Sequence, residues 1–290
     1  MIDFLHVLEH SFFDSLKLIP FLFLTYLLME YLEHRSGDIA EKVLGHSGQF
    51  GALIGGALGR IPQCGFSSAA AGLYAARVIS LGTLISVFLS TSDEMLPIFL
   101  SHSVSPELII KIPAIKLVVA LLFGLAIDLV LKALHKKSQS KIEEFCERED
   151  CHCHSSILKP ALIHTLKVGA FIFLFTLIME IIIQLIGEEN IAAFVSTNPA
   201  IASLLSSVVG LIPNCASSVI ISELYVSGYL SAGAMLSGLL ANSGVALAVL
   251  FRTNRPRKEN LVIVLILLAI SLFVGMTVDI TPLSKWLAIK

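Results

Sequence analysis

The sequence predicts an all-α polytopic membrane protein, with ten transmembrane segments arranged as two inverted-topology repeats of five that contain short or broken helices. Three observations predict this fold class: an excess of apolar residues, an internal repeat, and the placement of lysine and arginine. Of the 290 residues, 56% are hydrophobic and 14% are charged, and the mean hydropathy is +0.86. Soluble domains average roughly 45–50% apolar and about 25% charged residues. The composition therefore excludes a soluble enzyme, a nucleic-acid-binding protein and a disordered scaffold.

Ten apolar blocks follow one another along the chain, five on each side of a polar loop. A run of about 18 apolar residues is long enough to cross a bilayer as one helix. Two blocks in each half are too short for this, so each pair either spans together or re-enters the membrane. The blocks lie near 12–32, 49–63, 66–79, 80–101 and 109–133, then near 163–186, 199–213, 216–228, 230–251 and 260–280. The expected domains are a five-segment repeat at 1–134, a cytoplasmic loop at 135–160 and an inverted repeat at 161–290.

The two halves are copies of one another at an offset of 151 residues. The offset holds without a gap between 59–97 and 210–248, and it aligns Ile-Pro-Gln-Cys with Ile-Pro-Asn-Cys. Because each repeat crosses the bilayer an odd number of times, the second must be inverted relative to the first. The identical pairs include Pro62 and Pro213, Cys64 and Cys215, Ser67 and Ser218, Ser80 and Ser231, Gly82 and Gly233, and Asp128 and Asp279.

The basic residues support this topology. Cytoplasmic loops of membrane proteins are enriched in lysine and arginine. If the loop 135–160 is cytoplasmic, counting segments in both directions leaves the expected outer loops, 102–108 and 187–198, without lysine or arginine. Both termini then lie outside, and the expected location is a bacterial inner membrane. The residues placed inside are Arg35, Lys42, Arg77, Arg252, Arg255, Arg257 and Lys258.

Proline interrupts a short apolar segment at the same place in each half, at Pro62 and Pro213. Proline lacks a backbone donor and restricts the residue before it, so the preceding helices are expected to end at Ile61 and Ile212. Short or interrupted segments at matching positions of inverted repeats indicate a transporter site near the bilayer midplane. The simpler alternative is a kink that serves packing only. Two matched breaks, each followed by a cysteine and paired serines, favour the site.

The candidate ligands beside these breaks combine soft and hard donor atoms. Thiolates select soft or borderline ions such as copper(I) and zinc, whereas carboxylate and carbonyl oxygens suit manganese. A buried cysteine can equally be a small apolar side chain. The candidates are Gln63, Cys64, Ser67, Ser68 and Ser92 in the first half, and Asn214, Cys215, Ser217, Ser218, Asn242 and Ser243 in the second.

A second break, Ser90-Thr-Ser-Asp-Glu-Met, contains two carboxylates that the other half lacks. The offset places Gly244 and Val245 opposite Asp93 and Glu94. A carboxylate in a membrane segment is costly and indicates a functional site by default. Two adjacent hard oxygen ligands suit a divalent cation, although they could equally exchange protons. The alternative is an outer interfacial position, since Pro97 follows.

Three further acidic residues are candidates for function. Glu223 falls in the short segment after the second Ile-Pro-Asn-Cys motif and is a further candidate for the metal path. Glu180 lies in the middle of an apolar segment, where solvation is implausible, and Glu30 lies nearer a cytoplasmic end. Each of the three could couple transport to proton movement, because an ionisable group at membrane depth can serve in a proton relay.

Other charged residues have simpler interpretations. Lys111 and Lys116, near the outer start of the fifth segment, could neutralise one of the acids. Asp128 and Asp279 lie near segment ends, where we expect their side chains to reach the membrane interface by snorkelling.

The polar loop contains three cysteines and two histidines within residues 146–154. Such a set could form a regulatory site for zinc or another thiophilic ion. The spacing matches no zinc-finger pattern, so adventitious binding by a solvated, reduced loop is an equally good interpretation. The residues are Cys146, Cys151, His152, Cys153 and His154.

The motifs at 59–68, 90–95 and 212–218 resemble those of a bacterial family, the ten-helix heavy-metal exporters, also labelled arsenic-efflux-like proteins or manganese transporters. The resemblance covers nearly the whole chain. It implies a metal or metalloid exporter of the cell membrane, in which the quoted motif positions line the substrate path.

The favoured hypothesis is a secondary transporter that exports a divalent transition-metal ion, preferably manganese, with zinc or another ion as alternatives, from a midplane site between the repeats. The metal ion and the lipid bilayer are the expected partners, and a homo-oligomer is left open. We expect no required cofactor and no nucleic acid. We also expect no nucleotide, because the chain lacks the GxxxxGK[ST] pattern. One alternative is a permease for an arsenical or other small solute that uses Cys64 and Cys215. A membrane thiol redox enzyme and a passive channel are further alternatives.

Overall fold

The structure is a computed structural model that describes residues 64–91, 95–102, 104–134, 158–187 and 201–287. It also describes isolated positions at 12, 16, 19, 20, 22–24, 26, 27, 51, 56 and 190. The described part is helical and contains no β-strand, as the sequence predicts. Most of the expected segments at 12–32 and 49–63, and most of the central loop, lie outside the described residues.

The described helices occupy matching places in the two halves. The first half contributes α1 (Cys64–Ala75), α2 (Leu81–Ser90), α3 (Met95–Ser101) and α4 (Pro106–Ala133). The second half contributes α5 (Leu158–Ile186), α6 (Ala202–Gly210), α7 (Ala216–Val226), α8 (Ala232–Ala241), α9 (Ala246–Thr253), α10 (Arg257–Ile280) and α11 (Leu283–Trp286). At the offset of 151 residues, α2 coincides with α8, and α3 and α4 begin where α9 and α10 begin.

The helix before the second proline ends earlier than the sequence predicts. α6 ends at Gly210 rather than at Ile212. The reason is that the chain tightens before the proline: the N–H of Ile212 bonds to the carbonyl of Val209 at 3.1 Å, which is a 3₁₀-type contact. Pro213 follows in a bend, so the predicted break is present, while its counterpart at Pro62 lies outside the described residues.

The protein is a multi-pass membrane protein. Together, α2 and α3 are long and apolar enough to cross a membrane, and so are α8 and α9. In each pair the first helix ends near the middle, at Ser90 and at Ala241. Over an 18-residue stretch, 94% of Ala232–Thr253 is buried but only 22% of Pro106–Ala133. The pair α8–α9 is therefore interior, whereas α4 presents apolar side chains suited to lipid. In the described residues, the stretches long and apolar enough to cross a membrane are Leu81–Ser101, Pro106–Ala133, Ala161–Ile178, Ala232–Thr253 and Arg257–Ile280.

Aspartates hold the amino ends of α2 and α8, so Asp128 and Asp279 have an anchoring role beyond the snorkelling that the sequence predicts. The Asp128 carboxylate accepts bonds from the Ser80 hydroxyl at 2.7 Å and from the N–H of residue 82 at 2.9 Å. Asp279 accepts from the Ser231 hydroxyl at 2.8 Å and from the N–H of residue 233 at 2.9 Å. A carboxylate at a helix amino end also interacts favourably with the helix dipole. The repeat thus preserves a structural anchor.

The glycines next to these anchors allow the helices to cross closely. A Cβ added to Gly82 would collide with the backbone carbonyl of Gly124 on α4. A Cβ on Gly233 would collide with the carbonyl of Gly275 on α10 in the same way. The pairs α2–α4 and α8–α10 therefore pack backbone against backbone, as small residues permit in membrane helices.

Contacts between the halves are reciprocal. Helix α1 of the first half packs against α9 of the second, and α3 of the first half packs against α7 of the second. Since α7 and α9 are the counterparts of α1 and α3, each half makes the same kind of contact with the other. The inverted orientation of the halves stays a prediction.

Helices α1 and α7 end in similar turns made by different residues. Arg77 has a φ of 60° and its counterpart Gly228 has a φ of 80°. Their N–H groups bond to Tyr74 and Tyr225 carbonyls at 2.9 and 3.1 Å. The left-handed conformation is unfavourable for arginine but not for glycine. The guanidinium of Arg77 donates to both carboxylate oxygens of Glu259 at 2.5 Å, which joins the first half to α10.

Candidate functional site

The interruption between α8 and α9 is built around the side chain of Asn242. Its oxygen accepts a bond from the Gly244 N–H at 2.6 Å. Its amide nitrogen donates to the Ser217 hydroxyl at 3.0 Å. Gly244 has a φ of 56°, in the left-handed region that favours glycine. The Asn242 amide thus bonds to the backbone just after α8 and links that break to Ser217 on α7.

A second asparagine, Asn214, makes hydrogen bonds in the break between α6 and α7. The Asn214 side-chain oxygen accepts a bond from the Ala216 N–H at 3.1 Å, which gives the first N–H of α7 a local partner. The Ser217 hydroxyl donates to the Asn214 carbonyl at 2.7 Å, and the Ser218 hydroxyl donates to the Cys215 carbonyl at 2.8 Å. Since Ser217 also accepts from Asn242, the two breaks of the second half are directly bonded.

The first half contacts the break between α8 and α9 through Ser67 on α1. The Ser67 hydroxyl donates to the carbonyl of Ser243 at 3.4 Å. Candidate residues from both halves therefore form one buried polar cluster, in which each residue is at most 5% exposed. The hydrogen-bonded members are Ser67, Asn214, Ser217, Asn242 and Ser243. Their chain neighbours Ser68 and Ser218 are counted with them, and the half-buried Cys215 lies next to Asn214 in the chain.

Several buried polar atoms of this cluster lack hydrogen-bond partners among the described residues. They are the Ser68 hydroxyl, the Asn214 amide nitrogen and the Ser243 hydroxyl. A buried polar group without a partner costs about 1–3 kcal/mol. Such groups are typical of places where water or a ligand completes the hydrogen bonding. Thr176, Ser206 and Ser222 share this condition elsewhere, so the cluster is distinguished by having such atoms on three separate segments.

A buried lysine lies at the carboxyl ends of α2 and α8. Lys116 on α4 is 2% exposed. Its ammonium donates to the carbonyl of Thr91, which caps α2, and to the carbonyl of Leu239 at 2.7 Å, in the last turn of α8. From the sequence, Lys116 is expected only to neutralise one of the acids. The signal for a larger role is a single lysine between Ile115 and Leu117, in the middle of an apolar helix.

Lys111 and Glu223 are placed apart from the polar cluster. The Lys111 ammonium lies 2.6 Å from the Glu107 carboxylate and 4.0 Å from the centre of the Trp286 ring. Glu223 lies 3.0 Å from the Nε2 atom of His102, and both side chains are 41% exposed. The assignment of Glu223 to the substrate path stays a prediction.

Several candidates lie outside the described residues, and their roles stay predictions. Where the structure describes the chain, no three residues among histidine, cysteine, aspartate and glutamate converge on one point. Charged ligands for a metal at this site would therefore have to come from residues such as Asp93 and Glu94. The candidates outside the described residues are Glu30, Pro62, Gln63, Ser92, Asp93, Glu94, Cys146, Cys151, His152, Cys153 and His154, together with the side chains of Cys64 and Glu180.

A family model described as "Putative, 10TM heavy-metal exporter" matches the chain over residues 3–167 and 158–287. These regions include the motifs at 59–68 and 212–218 and every residue of the polar cluster, so the resemblance inferred from the motifs is confirmed. No curated protein and no solved structure matches the chain.

Proposed function

We propose, since this chain belongs to the family of ten-transmembrane heavy-metal exporters, that it exports a divalent metal ion through a site where the broken helices of its two halves meet. The observation that carries the proposal is the polar cluster. It is buried, it joins both halves through Ser67 and Ser243, and it holds three polar atoms that no described residue satisfies. A carrier built from two halves needs its site at their interface, so that either half can open it.

The donor atoms of the cluster favour a hard cation. They are hydroxyl and amide groups, and the only described thiol beside them belongs to Cys215. Oxygen ligands suit manganese, whereas soft ions prefer thiolates. We therefore favour manganese as the cargo, with Cys64 and Cys215 adjusting the softness of the site. Neutral ligands do not balance a divalent charge, so Asp93 and Glu94 are expected to supply the negative charge.

Contacts between the halves support alternating access. Arg77 pairs with Glu259 across the halves, and in the proposed topology this pair faces the cytoplasm. His102 pairs with Glu223 across the halves, and this pair faces outside. Rocking of one half against the other would break one pair while the other stays closed. In this proposal the protein lies in the inner membrane of a bacterium, and an ion gradient or the cargo's own gradient supplies the energy.

The test is the metal content of cells that lack or overproduce the protein, measured across several elements. We expect overproduction to lower manganese selectively. The double variant Asp93→Asn with Glu94→Gln should abolish this effect at equal protein abundance. Glu107→Gln is the matched control, because Glu107 is an exposed acid in the first turn of α4 whose carboxylate lies 2.6 Å from the Lys111 ammonium.

Two results would contradict the proposal. Full activity of the double carboxylate variant would remove Asp93 and Glu94 from the site. A change in arsenic with no change in manganese would instead favour a trivalent arsenical bound by Cys64 and Cys215. In that case, replacing both cysteines by serine should destroy activity, whereas on the manganese proposal it should only weaken it.

A further inference from the structure

Two broken helices direct their carboxyl ends at one ammonium group. Leu239 lies in the last turn of α8, which ends at Ala241, and Thr91 directly follows α2. The last carbonyls of a helix have no helical partners and carry about half a negative charge in sum. In carriers with broken helices, such ends coordinate the coupling cation. Here the Lys116 ammonium is bonded to both ends.

The lysine belongs to an asymmetry of charge between the halves. The offset places Leu267 opposite Lys116, and Leu267 is fully buried. The same offset places Gly244 opposite Asp93. The cation and the acids thus occur together in the first half and are both missing from the second. Leu239, whose carbonyl the Lys116 ammonium contacts, precedes Asn242 of the polar cluster by three residues. The ammonium therefore lies at the break that contains the polar cluster.

We propose that Lys116 is the internal counter-cation of the transport site and fills the place that a coupling cation would otherwise occupy. This inference rests on the proposed function. A buried charge without a partner is strongly unfavourable, so an empty site with two ionised carboxylates would resist movement through the membrane interior. The ammonium offsets part of that charge permanently. The empty carrier can then return without a second ion, and transport does not require sodium.

A variant that lacks the positive charge of Lys116 tests the counter-cation role. With Lys116→Gln, a site that holds one divalent ion between two carboxylates is neutral and can reorient. The same site is doubly negative when empty and cannot return. The glutamine amide can still donate hydrogen bonds to backbone carbonyls, so the variant removes the charge while keeping a donor.

The experiment uses the full-length protein in liposomes with manganese(II) as the probe. Net efflux down a manganese gradient requires the empty carrier to return, whereas exchange of manganese for manganese does not. For Lys116→Gln we expect net efflux to fall at least about tenfold, while exchange stays within about threefold of wild type. Lys116→Arg should restore net efflux. Lys111→Gln is the matched control on the same helix and should leave both rates unchanged. Wild-type net efflux should be equal in sodium and in choline chloride.

Each contrary result has a definite meaning. Normal net efflux in Lys116→Gln overturns the counter-cation role, and so does stimulation of the wild type by sodium. Loss of exchange together with net efflux also overturns it, because the lysine would then be needed for binding or folding. If the wild type moves manganese(II) in neither assay, the proposed function itself fails, and this is visible before any variant is compared.

Discussion

The residues at the equivalent positions of the repeat suggest an uncharged replacement for the ion pair between Arg77 and Glu259. At the offset of 151 residues, Gly228 stands opposite Arg77 and Leu108 stands opposite Glu259. Leu108 is 3% exposed, so an apolar side chain is accommodated at that place. We therefore expect the double variant Arg77→Gly with Glu259→Leu to be stable, although each single change is harmful.

The magnitudes follow from burial and backbone geometry. The Arg77 and Glu259 side chains are 18% and 28% exposed, and their two nitrogen–oxygen distances are both 2.5 Å. Removing one partner of a largely buried pair costs about 3–5 kcal/mol. Relief of the left-handed strain at Arg77 returns roughly 1–2 kcal/mol in the glycine variant. Arg77→Gly should thus lose about 2–3 kcal/mol of unfolding free energy, and Glu259→Leu should lose about 3–5 kcal/mol. The double variant leaves no charge unpaired, and relief of the strain at Arg77 offsets much of the loss of the hydrogen bond that the Tyr74 hydroxyl donates to Glu259. It should therefore stay within about 2 kcal/mol of wild type, because replacing a buried pair by apolar groups is often neutral.

The assay is reversible unfolding of the four proteins in the same detergent, analysed as a double-mutant cycle. The Glu259 carboxylate raises the pKa of Arg77 above its ordinary value, chiefly by hydrogen bonding, so the guanidinium is charged at any pH suitable for the measurement. The expected interaction energy is at least about 3 kcal/mol, at the upper end of measured couplings. If the losses of unfolding free energy add, so that the double variant is the least stable of the four proteins, this expectation is wrong.

Three further predictions concern helix crossings, helix anchors and the break. Gly233→Ala should cost about 1–3 kcal/mol of unfolding free energy, because its Cβ would strike a backbone carbonyl of α10. Gly72→Ala, with nothing within 4 Å, should instead stabilise α1 by about 0.5–1 kcal/mol. Asp128→Asn and Asp279→Asn should lower the unfolding temperature by similar amounts, since their hydrogen bonds match; unequal shifts would contradict an equivalent role. Asn242→Ala should reduce transport more than it reduces protein abundance. A loss of transport no larger than the loss of protein would show that Asn242 has only a structural role.

Local patterns in the sequence predict much of the helical framework. The offset of 151 residues predicts that helices recur at equivalent places, and α2 and α8 have equivalent bounds. The proline motif predicts a break after α6, although the last turn tightens and ends the helix at Gly210. These features depend on apolar runs and on backbone chemistry near each residue, which a sequence displays directly.

The partners of the charged residues are harder to predict, because tertiary packing decides them. Asp128 near a segment end is compatible with snorkelling, and only the packing of α4 against α2 brings it to the amino end of α2. Lys116 and Lys111 have similar sequence surroundings, but packing buries Lys116 at two helix ends and leaves Lys111 beside Glu107 and Trp286. The sequence shows that a charge lies in an apolar segment without showing which groups it meets.

The proposal of one site between the two halves accounts for the division between matched and unmatched residues. Anchors such as Asp128 and Asp279 recur because each half must hold its own helices. A charge near the interface is different, because two copies of it would lie close together in a medium of low dielectric constant, where like charges repel strongly. Lys116 therefore has Leu267 as its counterpart, and Asp93 has Gly244. On this argument, introducing a second lysine by Leu267→Lys should destabilise the protein by more than Lys116→Leu does.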